Sequence, residues 1–72
     1  MIEKNILPCK FHLGQLIIII DGFYKGQKGK IIDVMTESRN NNLYIIYEID
    51  IGQETLMMPE QNIKAHKRFI LW

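Results

Sequence analysis

The residue types that most often carry out catalysis are few and scattered in this chain. His12 and His66 lie far apart, and neither has a serine, cysteine or carboxylate at a spacing typical of a catalytic pair. The single cysteine, Cys9, can form no internal disulfide, and no set of cysteines and histidines has the spacing of a zinc site. We therefore expect a protein that is not an enzyme, with no metal, no cofactor and no small-molecule substrate.

Segment 23–30 combines aromatic and basic side chains in a way that is typical of nucleic-acid binding. Phe23 and Tyr24 precede Lys25, Lys28 and Lys30 in a glycine-rich stretch. Aromatic rings can stack on bases while lysines neutralise phosphates. The alternative is that the rings pack over one end of the domain and the lysines only keep a turn solvated.

A second basic cluster, with Lys64, His66, Lys67 and Arg68, lies near the end of the chain. If this segment returns beside the first strand, its cations share a face with the lysines of segment 23–30 and form a nucleic-acid footprint. The alternative is a charged edge that prevents pairing with other chains. Nine Lys and Arg against eight Asp and Glu leave a net charge of +1, so overall charge does not by itself predict binding to phosphates.

The elements that must position these residues are short β-strands in one domain. Seventy-two residues, 47% of them apolar and rich in isoleucine, favour a half-buried sheet over a helix. The pattern predicts an N-terminal arm over residues 1–12 and a barrel over residues 13–72 that ends in an apolar tail. Strands are expected at 16–20, 30–36, 43–50, 54–58 and from residue 63 onward. Residues 37–42 form a polar segment with a turn signal at residues 40–42, and a helical or 3₁₀ turn is expected at 59–62.

No membrane span or export signal is expected, so the sequence favours a cytoplasmic protein. The longest apolar run, Leu16 to Ile20, is only five residues long. Glu3 and Lys4 stand where a signal peptide would have its apolar stretch.

Residues 14–31 resemble the KOW motif of ribosomal proteins and of NusG-type transcription elongation factors. The positions that match its pattern are Gly14, Ile17, Ile19, Gly22, Gly29 and Ile31. Gly22 and Gly29 bracket the first hairpin, where we expect the chain to turn with φ values closed to other residues. Segment 55–63 is similar to the end of such a domain, so the resemblance covers roughly residues 13–65. Gln15 stands where aspartate is usual, and Phe23 stands where proline or a polar residue is common. The resemblance implies an all-β, five-stranded SH3-like barrel whose loop over residues 23–30 contacts RNA or a partner protein.

Alternation along these strands separates an inward set of residues from an outward set. The expected core consists of Ile17, Ile19, Ile31, Ile45, Tyr47, Leu56, Met58 and Ile63. The same phase turns outward Leu16, Ile18, Ile32, Tyr44, Ile46 and Met57. So many outward apolar residues on one small domain need to be covered, either by the arm and the tail or by another protein. We predict a contact with a protein partner or a second copy of the chain through these six residues and through Phe69 and Trp72 of the tail.

Two functional hypotheses follow. The first is a non-catalytic KOW/SH3-like module that contacts RNA or a ribonucleoprotein or transcription complex. Its site residues are Phe23, Tyr24, Lys25, Lys28, Lys30, Lys64, Lys67 and Arg68. The alternative is a protein–protein interaction adaptor or small modulator that acts through its outer aliphatic face and aromatic tail.

Overall fold

The computed structural model describes residues 9–66, and these form an all-β structure. The strands are β1 (Leu16–Ile19), β2 (Lys28–Arg39), β3 (Asn42–Asp50), β4 (Thr55–Pro59) and β5 (Ile63–Ala65), with a 3₁₀ turn at Glu60–Asn62. They form one antiparallel sheet in the order β4-β3-β2-β1-β5. The predicted all-β class with five strands is confirmed. The sheet is not closed, because β4 pairs only with β3 and β5 only with β1 within the described part of the chain, so the barrel stays a prediction.

The long hairpin of β2 and β3 differs from its predicted form. The second strand is predicted to end at Thr36, but β2 continues to Arg39 and the pairing extends to Arg39 opposite Asn42. The turn lies within the predicted residues 40–42, at Asn40 and Asn41, with φ values of 50° and 65°. Two consecutive residues with positive φ are typical of the tight turns that match the twist of a hairpin. The polar residues 37–39 therefore belong to a solvent-exposed strand, where no core requires an apolar side chain.

The core follows the predicted alternation closely. The side chains that are buried among the described residues are Phe11, Ile17, Ile19, Ile31, Tyr47, Ile49 and Ile63. Five of the eight predicted core residues are in this set, and the other three, Ile45, Leu56 and Met58, are partly buried and pack against it. Ile49 continues the inward phase of Tyr47. Phe11 is the addition that alternation could not predict, because it precedes the first strand.

A β-bulge shifts the alternation in the middle of β2. Ile31 lies opposite Ile49, whereas Asp33 lies opposite Glu48, so Ile32 is an extra residue with no partner across the pair. As a result Val34, opposite Tyr47, packs against the core, while Ile32 is exposed. The predicted outward position of Ile32 is correct, but it comes from the bulge as well as from the period of the strand.

Gly29 is required for a different reason from the one that the pattern suggests. The sequence predicted that Gly22 and Gly29 both bracket a turn with backbone angles closed to other residues. Gly22 has a φ of 89° and fits this expectation, but Gly29 lies within β2 and outside the left-handed region. A Cβ atom at Gly29 would lie 2.5 Å from Ile49 Cγ2 and 2.9 Å from the carbonyl oxygen of Asp50. The close approach of β2 to β3 therefore leaves room only for glycine.

Residues 9–12 of the predicted arm are among the described residues, and Phe11 in this segment belongs to the core. The ring of Phe11 contacts that of Tyr47 edge-on, with centroids 5.5 Å apart. The Tyr47 hydroxyl donates a hydrogen bond to Glu60 Oε2 at 2.5 Å and accepts one from the Phe11 amide at 3.3 Å, while the Lys10 amide donates to Glu60 Oε2 at 3.0 Å. Burial and the hydrogen bond to Glu60 raise the pKa of Tyr47 to about 12. Covering of the outer face by the arm is one of the two alternatives that the sequence leaves open, but Phe11 of this arm is buried in the core.

Residues 1–8 and 67–72 lie outside the described residues, and with them most of the predicted arm and the apolar tail. Within residues 9–66, no helix is long and apolar enough to cross a membrane.

The first test concerns Gly29. We expect Gly29→Ala to lower the free energy of unfolding by about 1–3 kcal/mol, because the added methyl group overlaps Ile49 and the backbone of Asp50. Chemical denaturation followed by circular dichroism measures this loss. Lys30→Ala, at the neighbouring outward position, serves as the control and should change stability by no more than about 0.5 kcal/mol. Equal stability of the two variants would contradict the assigned packing.

The second test concerns the Tyr47 hydroxyl. An unfolded tyrosine loses its proton near the ordinary value of 10.0, whereas folded Tyr47 keeps its proton up to about 12. Between these pH values the folded state binds more protons, so its stability falls as pH rises from 10.0 to about 12. Tyr47→Phe should lose about 1–2 kcal/mol below pH 10, because two hydrogen bonds disappear, and its deficit should shrink towards pH 12.

Urea denaturation at a series of pH values measures this difference between Tyr47→Phe and the wild type. Tyr44→Phe is the matched control, because Tyr44 is exposed and should follow the wild type at every pH. A deficit of Tyr47→Phe that stays constant up to pH 12 would argue against the hydrogen-bonded, buried hydroxyl.

Candidate nucleic-acid interface

The outer face of β1, β2 and β5 places aliphatic side chains between basic ones. Ile18 lies opposite Lys28 of β2 on one side and opposite Lys64 of β5 on the other. Residues directly opposite each other in antiparallel strands project from the same face of the sheet. Lys28, Ile18 and Lys64 therefore form one row, which we call the first row.

A second row runs parallel to the first. Leu16 lies opposite Lys30, and on its other side the His66 amide donates a hydrogen bond to the Leu16 carbonyl oxygen at 3.0 Å. Because residues i and i+2 of a strand share a face, this second row lies on the same face as the first. An open cavity of about 460 Å³ lies at this position, lined by Leu16, Lys28, Gly29, Lys30, Asp50 and His66.

The lysines of both rows are available to a ligand. The side chains of Lys28, Lys30 and Lys64 are exposed, and the one ion pair within residues 9–66 joins Arg39 to Glu37 at 3.2 Å, at the far end of the hairpin. Asp50 lies opposite Lys30, but its carboxylate accepts a hydrogen bond from the Gly52 amide at 2.8 Å in the turn after β3. The two rows therefore carry a local positive charge on a nearly neutral protein.

The loop between β1 and β2 joins the ends of these two strands, next to Ile18 and Lys28 of the first row. The Gly26 amide donates to the carbonyl oxygen of Ile19 at 2.8 Å, and the Ile19 amide donates to that of Gln27 at 2.9 Å. These bonds, with φ values of 89° at Gly22 and 95° at Gly26, give the loop a defined path. Exposed Lys25 belongs to this loop, whereas Lys28 and Lys30, which were predicted to share its tip, lie in β2.

The two aromatic residues of the loop have different environments. Phe23 is 93% exposed, and its ring contacts that of Tyr24 edge-on at a centroid distance of 5.0 Å. Tyr24 packs against the core and donates a hydrogen bond from its hydroxyl to Glu54 Oε2 at 3.1 Å. That hydrogen bond raises the pKa of Tyr24, because the protonated hydroxyl is its donor. Tyr24 thus follows the alternative interpretation, packing over the end of the sheet, while Phe23 alone projects into solvent.

The predicted outer aliphatic face is divided into two separate patches. Leu16 and Ile18 lie among the lysines of the two rows. Tyr44, Ile46 and Met57 lie on β3 and β4, where they line a groove of about 690 Å³ together with Met35, Thr36, Glu37, Arg39, Pro59 and Gln61. Asp33 and Glu48 lie opposite each other on β2 and β3, at positions between the two patches, and both carry negative charge.

Met35 and Pro59 are site residues that the sequence analysis missed. Both lie opposite Ile46, one on each neighbouring strand. The bulge at Ile32 reverses the phase of β2, and no local signal in the sequence reports that reversal. Of the predicted site residues, Lys67, Arg68, Phe69 and Trp72 lie outside the described residues.

Residues 9–66 hold no cluster of three or more side chains that could bind a metal ion. His12 is exposed, and its ring nitrogen Nδ1 lies 3.3 Å from the carbonyl oxygen of Leu13. His66 belongs to the second row described above.

No protein-family model, no curated protein and no solved structure matches this chain. The candidate site is therefore described by its own geometry: Lys28 and Lys64 flank Ile18 in the first row, and Lys30 and His66 flank Leu16 in the second.

Proposed function

We propose that this protein is a non-catalytic binding module, and that its ligand is RNA or a ribonucleoprotein bound across β1, β2 and β5. The observation that carries the proposal is the register that places Ile18 between Lys28 and Lys64. Cations with an apolar centre suit a polyanion that also has apolar groups to bury. The KOW resemblance of residues 14–31 supports the same class of ligand, and with it an SH3-like barrel.

The expected affinity is modest and depends strongly on salt. Each lysine that neutralises a phosphate of a single strand contributes about −0.7 to the slope of log K against log salt concentration. Lys28, Lys30 and Lys64 together then give a slope of about −2. The carboxylates of Asp33 and Glu48 repel phosphates from the rest of the sheet and confine the ligand to the two rows.

Phe23 extends this interface at one end. It is the most exposed of the large apolar side chains between residues 9 and 66, and it lies in the loop that follows Ile19. An exposed aromatic ring beside a cationic row can stack on a base at little conformational cost. Lys25, two residues further along the same loop, adds a fourth cation.

A second candidate function is favoured by the groove on β3 and β4. In this alternative the chain is a protein–protein interaction adaptor or modulator, and the occupant in the simplest case is a second copy. β4 is an edge strand with no charged residue in Thr55–Pro59, and it carries exposed Met57 beside the groove. Edge strands that must stay unpaired usually carry charges, so this edge suits antiparallel pairing with another β4 about a twofold axis.

Charge reversal on the first row tests the proposed function. Wild-type protein should bind a labelled single-stranded RNA oligonucleotide at low salt, with fluorescence anisotropy as the measurement. The double variant Lys28→Glu/Lys64→Glu should lose binding at least tenfold, because two attractive contacts become repulsive. Arg39→Glu changes the net charge by two units, as each of the single variants Lys28→Glu and Lys64→Glu does. Each single variant should bind more weakly than the wild type, whereas Arg39→Glu, at the far end of the hairpin, should retain wild-type affinity. Failure of the wild type to bind at low salt, or an equal loss in Arg39→Glu, would refute the proposal.

A lysine on the β4 edge tests the second candidate. Light scattering of the wild type should give the mass of a dimer that dissociates on dilution, and Met57→Lys should be monomeric at the same concentration, because burying its charge opposes pairing. Gln53→Lys, which adds the same single positive charge at an exposed position just outside β4, is the control and should remain dimeric. A wild type that is monomeric at every concentration would rule out this second function.

A further inference from the structure

The aliphatic centre of the two rows has no obvious role in binding to phosphates alone. Leu16 is 40% exposed, and Ile18 is half-buried between two lysines. A surface that only attracts a polyanion would lose nothing if these positions were polar. Their apolar character therefore indicates that the ligand brings an apolar surface of its own to this face.

The spacing of the cations defines how much ligand fits between them. Lys28 and Lys30 are two residues apart on one strand, which is about 7 Å. Lys28 and Lys64 are separated by two strand spacings, which is about 9.5 Å, with β1 between them. The gap over Leu16 and Ile18 is thus about the size of one nucleoside, with cations on either side of it.

From this arrangement we infer that the ligand is single-stranded, and that an unpaired nucleoside packs on Leu16 and Ile18 while the flanking phosphates contact Lys28, Lys30 and Lys64. This inference rests on the proposed function and adds the strand class of the ligand and the role of the aliphatic residues. Unpaired bases expose faces that can cover apolar side chains, and this contact tolerates any base sequence.

A duplex fits the same face poorly. Its bases are stacked inside the helix, so it presents phosphates and sugars to a sheet surface and leaves Leu16 and Ile18 uncovered. A wide rigid duplex that lies across β1 would also bring its phosphates towards Asp33 and Glu48, which lie opposite each other on β2 and β3 outside the rows. Asp50 lies opposite Lys30, beside the second row, so a single strand meets the fewest carboxylates along the first row.

The experiment compares two oligonucleotides and three variants. The wild type is titrated with a labelled single-stranded RNA and with the same RNA annealed to its complement, each over a salt series. We expect the single strand to bind about tenfold more tightly than the duplex. The variants are Ile18→Thr and Leu16→Thr, which keep a strand-forming residue at each position, and Leu43→Thr as the control. Leu43 is also an exposed aliphatic residue, but it lies opposite Ser38 at the far end of the β2–β3 hairpin, outside the two rows.

Ile18→Thr and Leu16→Thr should each weaken binding of the single strand about five- to tenfold and leave the slope against salt unchanged, because they remove apolar contact and not charge. Leu43→Thr should bind as the wild type does. Circular dichroism melting of each variant confirms that the protein titrated is folded, and Leu16, which is the more exposed of the two, keeps the test valid if Ile18→Thr unfolds.

The outcomes separate the two proposals. Equal affinity for duplex and single strand, or wild-type affinity in folded Ile18→Thr and Leu16→Thr, overturns the inference. In that case, continued loss of binding in Lys28→Glu/Lys64→Glu shows that the face binds RNA through charge alone, and the proposed function stands. If neither oligonucleotide binds the wild type at low salt, both proposals fail together.

Discussion

Strand β1 is the constraint on which the rest of the structure depends. It is only four residues long, yet it pairs with β2 on one side and with β5 on the other, so it joins the first and last parts of the sheet. Its inward side chains, Ile17 and Ile19, are almost completely buried, and its outward ones are the centres of the two cationic rows. The same four residues therefore provide both part of the core and part of the face that we propose as the binding site, because side chains in a strand alternate between its two sides.

The core that β1 helps to form is small and needs further support. A chain of this size buries a limited apolar surface, so single contacts have a large effect on its stability. Gly29 lets β2 approach β3 closely. The Tyr47 hydroxyl is hydrogen-bonded both to Phe11, which precedes β1 in the chain, and to Glu60 in the 3₁₀ turn that follows β4. These contacts link segments that are distant in the sequence, and they add to the strand pairing that holds the open sheet together.

The outer face combines two chemistries that the sequence alone would have merged into one surface. Basic residues with an aliphatic centre occupy β1, β5 and the start of β2, while an apolar groove occupies the later part of β2 with β3 and β4. The carboxylates of Asp33 and Glu48 lie on the strands that connect them. The two proposed functions therefore use different parts of the sheet.

The sequence by itself determined the β class, the alternation of Ile17, Ile19 and Tyr47 into the core, and the turn at Asn40 and Asn41, because period-2 patterning and turn preferences are local properties. Only the tertiary structure decided which lysines share a face. Lys28 and Lys64 are 36 residues apart in the sequence, and they share a face because both pair with Ile18. The bulge at Ile32 and the burial of Phe11 were likewise not readable from the sequence. Both result from how strands and loops fit against one another, and that fit depends on contacts between residues far apart along the chain.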